Sequence, residues 1–113
     1  MGYKIKSRIW IESDGHVLLG EGRVRLLKAI HDTGSLSKAA KSLNLSYKKA
    51  WHLLDSVNKS AKKPVTINIT GGKDGGGTTL TDYGKALITI FDGINRNCWE
   101  FLDRHLETIE KLK

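Results

Sequence analysis

Cysteine is almost missing from this chain. Cys98 stands alone, which excludes an intrachain disulfide and any zinc site built from several cysteines. Proline is equally scarce. Pro64 is the single example, and nothing after it breaks a helix. Long apolar runs are also lacking, with no stretch near the roughly 18 residues a membrane span requires. The N-terminal stretch Met1–Glu12 alternates apolar and polar residues and has no signal-peptide core. These absences predict a soluble, cytoplasmic chain.

What is present is basic. The chain has 113 residues, with 19 Lys and Arg against 12 Asp and Glu, giving +7 and a pI near 9.6. That length suits one domain, 1–113, able to bury a core without disulfides. The excess charge is localised. Residues 35–73 hold eight Lys and Arg and a single acid, Asp55, whereas residues 81–113 hold five against six. A small domain with so basic a central third points to a polyanionic partner, duplex DNA foremost.

Patterning predicts an α+β fold, mainly helical with a small β component. Tyr3–Ile11 alternates as a strand, Ser13-Asp14-Gly15 turns, and His16–Leu19 returns, forming an N-terminal hairpin. Arg23–Asp32 places Val24, Leu27 and Ile30 on one helical face, with Gly34 at the C-cap. Ser35 caps a second helix, Leu36–Leu43, and Ser46 a third, from Tyr47 to about Ala61. Val65–Thr70 and Thr78–Leu80 read as strands flanking a loop in which five of the seven residues 71–77 are glycine. Thr81 then caps a helix from Asp82 to about Leu112.

Residues 35–60 carry the functional signal, a helix-turn-helix. Two helices crossing steeply over a short turn need small residues at their contact and a turn residue tolerant of positive φ. Ala39, Ala40 and Ala50 meet the first need and Asn44 the second. The second helix of such a pair reads the major groove through its N-terminal residues. Ser46, Tyr47, Lys48, Lys49, His52 and Ser56 are therefore expected on DNA, the Tyr47 hydroxyl within reach of a phosphate. Trp51 is expected to pack in the core. Strand, glycine-rich loop and strand over 65–80 then form a wing. Ser35, Ser37 and Lys38, with Thr70, Gly71, Gly72, Lys73, Gly75, Gly76 and Thr78 of the wing, complete the expected contact set.

Ser46-Tyr47-Lys48-Lys49-Ala50-Trp51, the stretch Thr70–Gly77 and the stretch Leu80–Leu87 resemble the N-terminal DNA-binding domain of ModE-type molybdate-responsive transcriptional regulators, over about residues 20–110. Gly34–Ala40 is also similar to LysR-type regulators, a related winged-helix group. The resemblance implies a bacterial or archaeal dimeric transcription factor. It also implies molybdate binding in a separate C-terminal domain, for which these 113 residues leave no room. Sensing is then expected from a separate molybdate-sensing partner or another regulatory input, and the operator and effector stay open.

The last helix supports a homodimer independently. About 31 residues rise roughly 46 Å, more than a small domain can cover. Leu87, Ile90, Phe91, Ile94, Cys98, Phe101, Leu102, Leu106 and Ile109 form the expected dimerisation stripe. No catalytic constellation or cofactor motif stands out. Lys73 is followed by Asp74 and a strand, which does not fit a P-loop. His16, His31, His52 and His105 are dispersed, so neither a metal site nor an enzyme is expected. The alternative reading is a winged-helix interaction module that docks a protein partner through its wing and long helix.

Overall fold

The computed structural model describes residues 2–70 and 77–112. Its elements are β1 (Trp10–Ser13), β2 (His16–Gly20), α1 (Glu21–Thr33), α2 (Leu36–Ser42), α3 (Tyr47–Ser60), β3 (Thr66–Ile69), β4 (Gly77–Leu80) and α4 (Asp82–Glu110). The strands form two separate antiparallel pairs, β1 with β2 and β3 with β4. The fold is the expected α+β winged helix with a long C-terminal helix.

The helix-turn-helix closes as its residues dictate. Gly34 caps α1 at φ 70°, its N–H donating to the Ile30 carbonyl at 2.7 Å. Ser35 Oγ accepts from the Lys38 amide at 3.2 Å and Ser46 Oγ from the Lys49 amide at 3.1 Å, each satisfying a helix-start donor. Asn44 takes φ 56° in the turn. Ala39, Ala40 and Ala50 are buried at the helix crossing, over a core of Leu19, Leu26, Leu27, Ile30, Val57 and Val65.

The N-terminal hairpin is shorter than the alternation predicts. Pairing begins at Trp10 opposite Gly20, and residues 3–9 join no ladder. The reason is the partner: β2 ends at Gly20, where α1 starts. Ile5, Ser7 and Ile9 are still half-buried while Lys4, Lys6 and Arg8 are exposed, and Ser7 Oγ lies 3.4 Å from Cys98 Sγ on α4. Asp14 and Gly15, at φ 50° and 81°, make the two-residue turn. The register shifts between Ile11 and Glu12, and Leu18 and Leu19 are both buried although they are adjacent. Helix α1 begins at Glu21, two residues before the expected Arg23, with Gly20 at its N-cap and no side chain capping it.

Asn58 fastens the wing to α3. Its Oδ1 accepts from the amides of Val65 at 2.7 Å and Thr66 at 3.3 Å, and its Nδ2 donates to Thr66 Oγ1 at 3.1 Å. Thr81 fastens the other end. Its hydroxyl donates to the Pro64 carbonyl at 2.7 Å and accepts from the Gly84 amide at 3.0 Å, while its own amide donates to the Val65 carbonyl at 2.9 Å. Of α4, the core takes Tyr83, Leu87, Ile88 and Phe91. Lys28 pairs with Asp92 at 2.8 Å. The molecule is elongated, 66 × 30 × 22 Å.

Candidate nucleic-acid interface

Helix α3 buries Ala50, Leu54 and Val57 and leaves the opposite side open. Ser46, Tyr47, Lys48, Lys49 and His52 are all exposed across its first turns. Ser37 and Lys38 are exposed on α2, while Ser35 is half-buried and committed to its cap. These residues lie within the two helices of one helix-turn-helix, as the spacing predicts.

Charge on this face is poorly compensated. Asp55, the single acid of the basic block, is taken by Lys59 at 2.9 Å. Among the described residues, Lys38, Lys41, Lys48, Lys49, Lys62 and Lys63 have no acidic partner. Lys38 and Lys41 on α2 and Lys48 and Lys49 at the start of α3, with Lys62 and Lys63 just past its C-terminal end, are exposed ammonium groups without counter-charges, an excess suited to phosphates. The N-terminus of the 14-residue α3 adds its dipole at the same end.

Two clefts flank α3. On one side, Leu36, Tyr47, Trp51, Asn58, Asn68 and Thr78 line a cleft of about 270 Å³ between the helix and the β3–β4 wing. On the other, Asp14, His16, His52, Ser56 and Lys59 line an open cleft of about 430 Å³ against the β1–β2 turn. Helix α3 is thus a ridge between the wing and the hairpin.

Several expectations need correction. Trp51 does not pack in the core. It is 46% exposed, edge-on to His52 with ring centroids 5.3 Å apart and an interplanar angle of 82°. The three small and branched residues Ala50, Leu54 and Val57 already fill the inward stripe, so the indole sits on the wing-side flank. Thr78, expected on DNA, is buried, its Oγ1 bonding Asn68 Oδ1 at 3.3 Å. Asn68 stands directly opposite it in the ladder. Ser56 is half-buried and accepts from Arg23 Nη2 at 3.4 Å, which ties α1 to α3. Thr70 is exposed at the end of β3. Gly71, Gly72, Lys73, Gly75 and Gly76 lie outside the described residues.

The α4 stripe divides. Phe91, expected at a dimer face, is 2% exposed in this chain's own core, and Leu87 packs against the same core. Ile90, Ile94, Phe101 and Ile109 are exposed, and Cys98, Leu102 and Leu106 are half-buried. Sequence reading missed Arg23, Asn58 and Gly84, whose roles depend on neighbours distant in sequence. Only the glycine, placed in the first turn of a helix, carried a local signal.

The model of the bacterial regulatory helix-turn-helix proteins of the lysR family matches residues 22–85, spanning α1 to the start of α4. The chain is 37% identical over 106 residues to the molybdenum transport protein ModE of Azotobacter vinelandii, covering 94% of this chain and 39% of that protein. It is 47% identical over 74 residues to the transcriptional regulator ModE of Haemophilus influenzae, covering 66% of this chain and 29% of that one. It is 43% identical over 70 residues to the DNA-binding transcriptional dual regulator ModE of Escherichia coli, covering 62% and 27%. The chain thus spans well under half the length of these relatives. With its fold and its matched segment, which spans more than half of the sequence, the chain belongs to the lysR family of bacterial regulatory helix-turn-helix proteins.

Proposed function

We propose that this protein binds double-stranded DNA sequence-specifically, as a homodimer, and regulates transcription. The observation that carries this reading is the row of uncompensated lysines along the open face of the helix-turn-helix. Lys48, Lys49 and His52 are the groups we assign to base edges and phosphates, with Ser37, Lys38 and Thr70 on the flanking backbone. The exposed Ile90, Ile94 and Phe101 of α4 are assigned to the dimer contact, since a two-fold pairing would cover them and present two recognition helices to one duplex. No catalytic role is assigned, and the working compartment is the cytoplasm.

Two of the relatives' names speak of molybdenum transport or of regulation. A molybdenum-linked target is therefore the first to test, with sensing assigned to a separate regulatory partner. The deciding experiment is selection of bound sequences from random duplex DNA. Recovery of a two-fold symmetric site, bound with steep salt dependence, supports the whole reading. Binding without symmetry removes the dimer. No duplex binding favours the second reading, a protein-docking module, for which the exposed Ile67 and Ile69 of the wing and the α4 stripe are the surface.

A further inference from the structure

Two large aromatic side chains stand open on the recognition helix. Tyr47 is 57% exposed and Trp51 46%. Four residues apart, they lie one above the other on the wing-side flank of the first two turns. This is the part of the helix that reaches base edges in a major groove. A tryptophan normally buries most of its surface, and this one is left uncovered beside Lys48 and Lys49.

Most other polar groups of the cleft already have partners within the chain, Asp55 among them through Lys59. Both ends of the Asn58 amide are used in holding Val65 and Thr66. Thr78 and Asn68 bond each other. Leu36 and Leu54 supply an apolar floor. What the cleft offers a ligand is therefore its aromatic wall, propped by the edge-on contact between Trp51 and His52. The surrounding lysines dictate a polyanion, and in the major groove of B-DNA the apolar group on a base edge is the C5-methyl of thymine.

We propose that Tyr47 and Trp51 form an apolar reading edge that selects thymine by packing against its C5-methyl group. This rests on the DNA-binding reading above. Lys48 and Lys49 hold the duplex through charge, and the aromatic pair adds a base preference that charge alone cannot provide. The competing use of the same rings, packing on deoxyribose, would be indifferent to sequence.

The test uses the full chain and a duplex obtained by selection. Each thymine is replaced singly by deoxyuridine, which removes the methyl and keeps every hydrogen-bonding edge. At one or two positions the dissociation constant should rise about 4-fold per methyl removed. Trp51→Ala should bind the thymine duplex as weakly as wild type binds the deoxyuridine one, without discriminating between them. Trp51→Phe should retain the discrimination. An unchanged melting temperature for Trp51→Ala, expected at so exposed a position, separates a defect in reading from a defect in folding. The inference is overturned if wild type binds with salt dependence yet ignores every deoxyuridine substitution, or if Trp51→Ala discriminates like wild type. Failure of wild type to bind any duplex would instead sink the DNA-binding reading and this inference with it.

Discussion

The amide of Thr78 donates to the carbonyl of Gly34 at 3.0 Å, joining the wing to the loop that opens the helix-turn-helix. The approach is close enough that a Cβ on the neighbouring Gly77 would lie 2.8 Å from the same carbonyl oxygen. The wing is thus held against the α1–α2 loop through a backbone contact that a side chain would wedge apart, in addition to its attachment to α3 through Asn58. Gly77→Ala should lower stability by about 1–3 kcal/mol, as overpacking does, and weaken duplex binding beyond that loss. A melting curve and a binding titration on the same sample check both parts.

Gly84 and Gly93 should respond oppositely to alanine, although both lie in α4. A Cβ at Gly84 would collide with the carbonyl oxygen of Val65, whereas one at Gly93 meets nothing within 4 Å. Gly84→Ala is expected to destabilise by about 1–3 kcal/mol. Gly93→Ala is expected to stabilise by about 0.5–1 kcal/mol, the helix-propensity gain of alanine over glycine. Thermal unfolding of the two variants side by side measures the contrast, and equal shifts would contradict the packing described.

Removing the Asn58 side chain should loosen the wing. Asn58→Ala leaves the buried Val65 without its side-chain acceptor. An unsatisfied buried amide costs about 1–3 kcal/mol. Hydrogen exchange at Val65 and Thr66 should accelerate more than at the Leu26 and Leu27 amides. Uniform acceleration would show that Asn58 supports the whole fold and not the wing attachment.

Lys48 and Lys49 are assigned to DNA, and salt dependence can count them. Removing one cation from a phosphate lowers the slope of log affinity against log salt by about 1. The double variant Lys48→Ala, Lys49→Ala should bind far more weakly, with a slope smaller by about 2. Its melting temperature should match wild type, because both side chains are exposed. An unchanged slope would remove these lysines from the interface.

The dimer assignment is tested on α4. Ile94→Asp together with Phe101→Asp places two charges on exposed positions. Sedimentation should show wild type as a dimer and the variant as a monomer that stays folded. Phe91→Ala should instead destabilise the fold by about 3–5 kcal/mol, as expected for a buried phenylalanine. A dimeric double variant would move the contact elsewhere.

Local chemistry makes most of the fold legible. Capping serines, the Asn44 turn and the Gly34 cap act within a few residues, so the helix-turn-helix can be placed from Ser35, Asn44 and Ser46 alone. Strand length cannot be read this way. Tyr3–Ile9 alternates like a strand, but a ladder also needs a partner, and β2 stops at Gly20. Trp51 misleads because its size favours burial, while the space inside is already filled by smaller residues. Phe91 misleads because one apolar stripe on α4 serves two surfaces. Where the inner surface ends depends on how far the core extends, which periodicity does not record.

Helix α4 leaves the core behind at Phe91 and continues to Glu110. Those 19 further residues rise roughly 28 Å at 1.5 Å each. The helix is therefore a lever with a short arm held in the core and a long arm that the N-terminal segment meets at Cys98, beside Ser7. A tilt of about 5° at its base carries the far end about 2–3 Å sideways over that rise. Whatever grips the far end can thus turn the recognition helix through the small angles that decide whether it lies squarely in a groove.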